Sequence, residues 1–177
     1  MRLDFPEFPR AAIAAVAMTL AMGAGAADKM TDNKDARPDV AFVTAAAQDG
    51  HAEVELGKLA QKNASSAAVK EYGQRMVTDH SKANADLSAI AKKLNIPVPS
   101  GPSEKHEAHY KRLAALKGDK FDGEYAQHMI DDHQTAVTLF QKQAKQGEAK
   151  ELRDFAARTL PTLEEHLKMA RALKDKK

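Results

Sequence analysis

The sequence predicts an all-α protein built as a four-helix bundle, and three observations predict it. From Asp39 onward the chain is rich in Ala, Leu, Lys, Glu and Gln, with almost no β-branched runs. Breaks at Asn63 to Ser66, Asn95 to Ser103, Gly118-Asp119 and Gly147 leave four long segments, about 39–62, 66–94, 119–146 and 149–174. Placed at 100° steps, each segment carries one apolar stripe, and four amphipathic helices of this length bury their stripes most simply against one another.

The elements follow in chain order. Arg2 and Arg10 precede an apolar stretch, Ala11 to Ala26, that ends in the small-residue pattern Ala24-Gly25-Ala26. Residues 1–26 are therefore expected to be a secretory signal peptide, because the stretch is short for a span that needs about 20 apolar residues. The expected location is the bacterial periplasm. Retention of the segment is the alternative, giving an inner-membrane anchor or an outer-membrane-associated protein, and membrane association is expected only in that case. Residues 27–38 are polar and aperiodic, a flexible lead-in to a domain over 39–174.

In the first long segment the stripe is Phe42, Ala45, Ala52, Leu56, Leu59 and Ala60. In the second it is Val69, Tyr72, Met76, Ala83, Leu87, Ile90 and Leu94. The Pro-rich linker 95–103 leads into a short extra helix near 104–117, long enough to act as a cap or as a crossover. The third segment presents Tyr125, Met129, Ala136 and Phe140, and the fourth Leu152, Ala156, Thr159, Leu163, Leu167 and Ala170. Pro161 interrupts the fourth and predicts a kink near His166.

Composition excludes several function classes. The 177 residues hold 27 Lys+Arg against 25 Asp+Glu, net +2, with 5% aromatic residues, so no basic aromatic-laced surface for nucleic acid is present. Removing residues 1–26 takes away two basic and two acidic residues and leaves the charge at +2. With no cysteine, disulfides, thiolate metal sites and a cysteine nucleophile are excluded. Any metal is confined to His, Asp, Glu or Met.

Tyr72-Gly73-Gln74-Arg75-Met76-Val77-Thr78-Asp79-His80 returns 53 residues later as Tyr125-Ala126-Gln127-His128-Met129-Ile130-Asp131-Asp132-His133, the mark of an internally duplicated bundle. Met and His four apart share one helical face, so His80 and His133 are expected to point inward. The wheel places Asp49, Glu53 and His166 on or beside the apolar faces of their own segments. His51, His106, His109 and His128 are expected in solvent, with weak metal binding by the i, i+3 pair His106 and His109 as the minor alternative. Counted from the tight turns, Asp49 is level with His80, and Glu53 lies about a turn nearer the loop. Several polar groups buried at one height must satisfy one another or hold something, since each left unpaired costs a few kcal/mol.

The string Glu53-Val54-Glu55-Leu56-Gly57-Lys58-Leu59-Ala60, with Met76-Val77, Asp79-His80, Phe121-Asp122, Tyr125, His133, Leu160-Pro161 and His166-Leu167, resembles the domain-of-unknown-function family numbered 4142. The resemblance spans about 39–173 and implies a ferritin-like four-helix fold in an exported bacterial protein labelled as a membrane or outer-membrane protein. It implies no established activity.

Two readings of the inner polar residues compete. In one, Asp49 or Glu53 joins His80, His133 and His166 to hold a transition metal, with imidazole suiting Zn, Cu or Ni. Asp79 and Asp132 would then orient the histidine rings, and Met76 and Met129 are core residues or soft ligands for Cu(I). In the other, the histidines, Tyr72, Tyr125 and the carboxylates form a metal-free structural network in an envelope interaction or stress-response module. Its contact surfaces would be the Pro-rich linker and the Lys174-Asp175-Lys176-Lys177 end. A di-iron oxidase is disfavoured, because that chemistry uses Glu-x-x-His pairs and the residues three before His80, His133 and His166 are Val77, Ile130 and Leu163. No Ser-His-Asp order or phosphate loop is present, so the sequence leans against an enzyme.

Overall fold

The computed structural model describes residues 38–174. The export signal over 1–26, nearly all of the 27–38 lead-in and the last three residues of the basic end lie outside the described residues. Five helices follow in order: α1 (Pro38–Asn63), α2 (Ala67–Lys93), α3 (Glu104–Ala114), α4 (Gly118–Gln146) and α5 (Lys150–Lys174). Strand is absent among the described residues, and no helix among them is long and apolar enough to cross a membrane.

Two antiparallel hairpins, α1/α2 and α4/α5, form the bundle, and α1 also packs on α4 as α2 does on α5. The diagonals are therefore α1 with α5 and α2 with α4. Each hairpin pins the loop of the other. On α1, Asp39 accepts hydrogen bonds from Gln143 Nε2 (2.8 Å), Glu148 N (3.0 Å) and Ala149 N (2.7 Å) at the α4–α5 turn. On α4, Asp122 accepts from Ser65 Oγ (2.6 Å), Ser65 N (3.2 Å) and Ser66 N (2.8 Å) at the α1–α2 turn. These carboxylates occupy the partial positive ends of α5 and α2, where free backbone donors need an acceptor.

The same clamps set the direction of every helix. α4 starts beside the α1–α2 turn and ends beside the start of α1, so it runs parallel to α2, and α5 runs parallel to α1. Linker 95–103 and α3 therefore travel the length of the bundle as a crossover, the ferritin-like connection. α3 lies against α1 and α4. Asn63 secures its far end, Nδ2 donating to Leu116 O (2.9 Å) while Lys117 Nζ donates to Asn63 Oδ1. α5 runs through Pro161 as one helix.

The duplication expected from the repeat takes a different form. Its two copies lie on the second helix of one hairpin and the first of the other, so they are not equivalent halves. They match because α2 and α4 run parallel across the centre and present the same groups to the same level: Tyr72 and Tyr125 meet edge to face at 6.1 Å, His80 and His133 at 5.7 Å.

Side chains divide the core into two apolar halves. One contains Phe42, Val43, Leu87, Phe140, Phe155 and Leu163, with the three phenylalanine rings in mutual contact. The other contains Leu56, Leu59, Val69, Met76, Phe121 and Met129. The gap between them falls at 48–55 on α1, 77–86 on α2, 130–135 on α4 and 164–169 on α5. Every polar residue singled out on the inner faces falls in these gaps.

Candidate metal centre

His80, His133 and His166 reach the middle layer from α2, α4 and α5. Each has an exposure of 6% or less. Their rings surround one point, with centroids 5.7, 5.4 and 5.4 Å apart, and one nitrogen from each lies within 4.8 Å of the other two. Metal bonds to imidazole of about 2.0 Å need nitrogens roughly 3.3 Å apart, so a small inward turn of the rings closes a site.

The other ring nitrogens orient two of the three. His133 Nδ1 lies 2.9 Å from the carbonyl of Met129, the geometry of an N–H donating to it, which leaves Nε2 as a lone pair facing the centre. His166 Nε2 lies 2.8 Å from Asp79 Oδ2 and leaves Nδ1 free. Arg75 donates to the same Asp79 oxygen from one turn earlier on α2. Burial alone would raise the Asp79 carboxyl, but hydrogen bonds from Arg75 and His166 outweigh it and hold its pKa down. Asp79 thus orients a histidine on α5, not its neighbour His80.

Buried polar atoms without a hydrogen-bond partner concentrate in this layer. They include His80 Nε2, His133 Nε2, His166 Nδ1, Glu53 Oε2 and the hydroxyls of Tyr72 and Tyr125. Leaving each such atom unpaired costs about 1–3 kcal/mol, too much to tolerate several times over without a return in function. Burial pushes the imidazoles toward the neutral form. His133 is lowered to about 4 by burial and then by His166, and His80 falls well below its ordinary value by burial and then by its two histidine neighbours. His166 is lowered by burial against the opposing pull of Asp79. Neutral imidazole is the form that binds metal.

The remaining expected residues are placed as follows. Glu53 is 1% exposed, with Oε1 3.7 Å from His133 Nδ1, beyond hydrogen-bond range. Asp49 stands apart from the three imidazoles and groups with Asp132 and His106. The register of α1 on α2 explains this: Gly57 faces Gly73 and Val77, and Gly50 faces Asn84, which sets Glu53 opposite His80 and Asp49 about a turn away. The loop count, which set Asp49 level with His80, was off by about one turn. Asp49 and His80 do share a small cavity of about 20 Å3, room for about one water molecule. Met76 and Met129 are fully buried in the apolar half below the layer. The Tyr72 ring lies 6.4 and 6.5 Å from those of His133 and His166, but neither tyrosine hydroxyl bonds to a histidine.

A correction concerns the histidines expected in solvent. His128 is 6% exposed, and His51, His106 and His109 are half-buried. α3 lies over the groove between α1 and α4 and covers that face, which no wheel of a single helix can foresee. The His106 to His109 spacing was the available signal that α3 presents two imidazoles on one face.

Residues 23–173 match the family model described as Domain of unknown function (DUF4142). The chain belongs to this family. Among solved structures it is similar to a DUF305 fragment from Deinococcus radiodurans, with TM-score 0.70 and 16% identity over 79% of this chain and 97% of that one. It is also similar to CopM in the Cu(II)-bound form (TM-score 0.67, 17% identity, 78% of this chain and 96% of that one). The Cu(I)-bound form of CopM matches with TM-score 0.66 and 16% identity over the same shares. These likenesses show the fold. No curated protein matches the chain.

Proposed function

We propose that this protein is an exported metal-binding protein of the bacterial cell envelope, whose bundle holds one transition-metal ion between His80, His133 and His166. The observation that carries this is the convergence of three buried imidazoles, one nitrogen of each within 4.8 Å of the other two; each ring keeps one buried nitrogen without a partner, and two rings are held by hydrogen bonds at the other nitrogen. Three neutral nitrogens in a trigonal arrangement suit Cu(I) or Zn(II), with Ni(II) a weaker fit because it prefers more ligands in a square or octahedral array. Asp79, held charged by Arg75 and His166, supplies negative charge near the ion. Two structures of similar fold, the Cu(II)-bound and Cu(I)-bound forms of CopM, hold copper, which makes copper the first metal to test. The role is binding and sequestration without catalysis, since neither Glu-x-x-His pairs nor a nucleophile accompanies the centre. Export rests on the Ala24-Gly25-Ala26 pattern, and N-terminal sequencing of secreted protein that began at Met1 would overturn it.

The experiment is titration of metal-free protein with Cu(I), Cu(II), Zn(II) and Ni(II) against a competing chelator. Wild type should retain one ion at this centre, and His80→Ala/His133→Ala should lose it. An unchanged affinity in that double variant rules the centre out. If wild type binds no metal and its unfolding midpoint is the same in every metal tested, the metal-free module is the better account.

A further inference from the structure

The crossover helix closes a second polar cluster that the three-histidine centre does not use. Asp49 from α1, Asp132 from α4 and His106 from α3 each offer one ligand atom, all within 4.8 Å of one another. His106 is held in place: Ser103, the N-cap of α3, accepts from its backbone N–H, and Ser103 Oγ lies 3.1 Å from His106 Nδ1. His106 Nε2 faces inward, 3.9 Å from Asp49 Oδ1.

The cluster is more than an acidic patch. Asp132 Oδ2 is itself buried without a hydrogen-bond partner, and Glu53, buried at 1% exposure with Oε2 unpartnered, lies one helical turn from Asp49 on α1. His128, one turn before Asp132 on α4, is likewise buried with Nε2 unpartnered. Three carboxyls crowded in a half-buried groove repel one another unless protons or a cation intervene, and here an imidazole completes the donor set.

We infer that Asp49, His106 and Asp132 form a second, divalent-cation site beside the buried centre, with Glu53 lying between the two. Two carboxylate oxygens and one imidazole nitrogen fit Zn(II) or Co(II), and the mixed donors disfavour Cu(I). The site is half-exposed where the other is sealed, so its ion exchanges with solvent faster. It joins α1, α3 and α4, so an ion there fastens the crossover to the bundle.

Equilibrium dialysis of the full chain against Zn(II), followed by metal analysis, tests this. Wild type should retain two ions per chain, while His106→Ala/Asp132→Asn and His80→Ala/His133→Ala should each retain one, with far-UV circular dichroism confirming the fold. His106→Gln on the covering helix perturbs packing least, and it should weaken one of the two binding events at least tenfold. A wild-type content of one ion that is unchanged in both His106 variants overturns the second site and leaves the buried centre standing. Loss only in the His106 variants, with His80→Ala/His133→Ala unaffected, upholds this site and removes the centre. Absence of retained Zn(II) in wild type overturns it outright.

Discussion

Asp79 shows how much of the site rests on one side chain. It sits half-buried on α2, charged because Arg75 and His166 both donate to it, and it decides which nitrogen of His166 faces the centre. Asp79→Asn keeps the size but weakens that bond and lets the ring turn. Metal affinity should fall about 10–100-fold, as for other partners that orient a ligating histidine. Chelator competition on the refolded variant reads the change, and an affinity within twofold of wild type would show that His166 needs no orienting group. The inward direction of His80 and His133 was legible from the four-residue Met-to-His spacing. That Asp79 serves a histidine 87 residues away was not, because the distance along the chain carries no information on which helices adjoin.

Among the elements, the α1/α2 pair depends on close backbone approach. A Cβ on Gly57 would lie 2.5 Å from the carbonyl oxygen of Gly73, and one on Gly73 would lie 2.9 Å from that of Gly57. Backbone cannot yield as a side chain can, so the helices would have to separate. Gly57→Ala should destabilise the protein by about 1–3 kcal/mol despite its gain in helix propensity, measured by urea unfolding. A stabilised variant would mean that the hairpin tolerates wider spacing. The same approach sets the register that puts Glu53, and not Asp49, opposite His80. Helix positions were readable from Gly, Pro and Asn breaks, and observed bounds fall within a few residues of the expected ones. Which way the linker ran was not readable, and the clamps at Asp39 and Asp122 settle it.

For the whole molecule, the buried titratable layer sets how stability responds to pH. In the metal-free protein His80, His133 and His166 have folded pKa values below the ordinary 6.5, and His106 and His128 shift the same way. The unfolded chain therefore takes up protons first as pH falls below about 6.5. Stability is full above that value and is lost as pH falls toward the folded pKa values, about 4 for His133, at up to about 1.4 kcal/mol per pH unit for each group. Glu53 and Asp49 oppose this: burial and then Asp132 raise their pKa values, so the stability they contribute fades as pH rises. Urea unfolding of chelated protein at pH 7, 6 and 5 should show decreasing stability, and more steeply in Glu53→Gln. A flat profile would mean that the imidazoles are not buried neutral, and a shallower one in the variant would mean that the Glu53 carboxyl is not held neutral in the folded protein.

The sequence by itself determined the helices, their inward faces and the confinement of any metal to His, Asp, Glu or Met, because these follow from local propensity, periodicity and the absence of cysteine, while its motifs carried the resemblance to the family. Only the tertiary structure decided which inward groups meet. Periodicity states the side of a helix on which a residue lies, while helix order, direction and axial register emerge from packing at Gly57 and Gly73, from the loop clamps and from the path of the crossover. Those long-range terms bring His166 to His80 and His133, move Asp49 away to Asp132, and fold α3 down so that His106, expected in water, faces them.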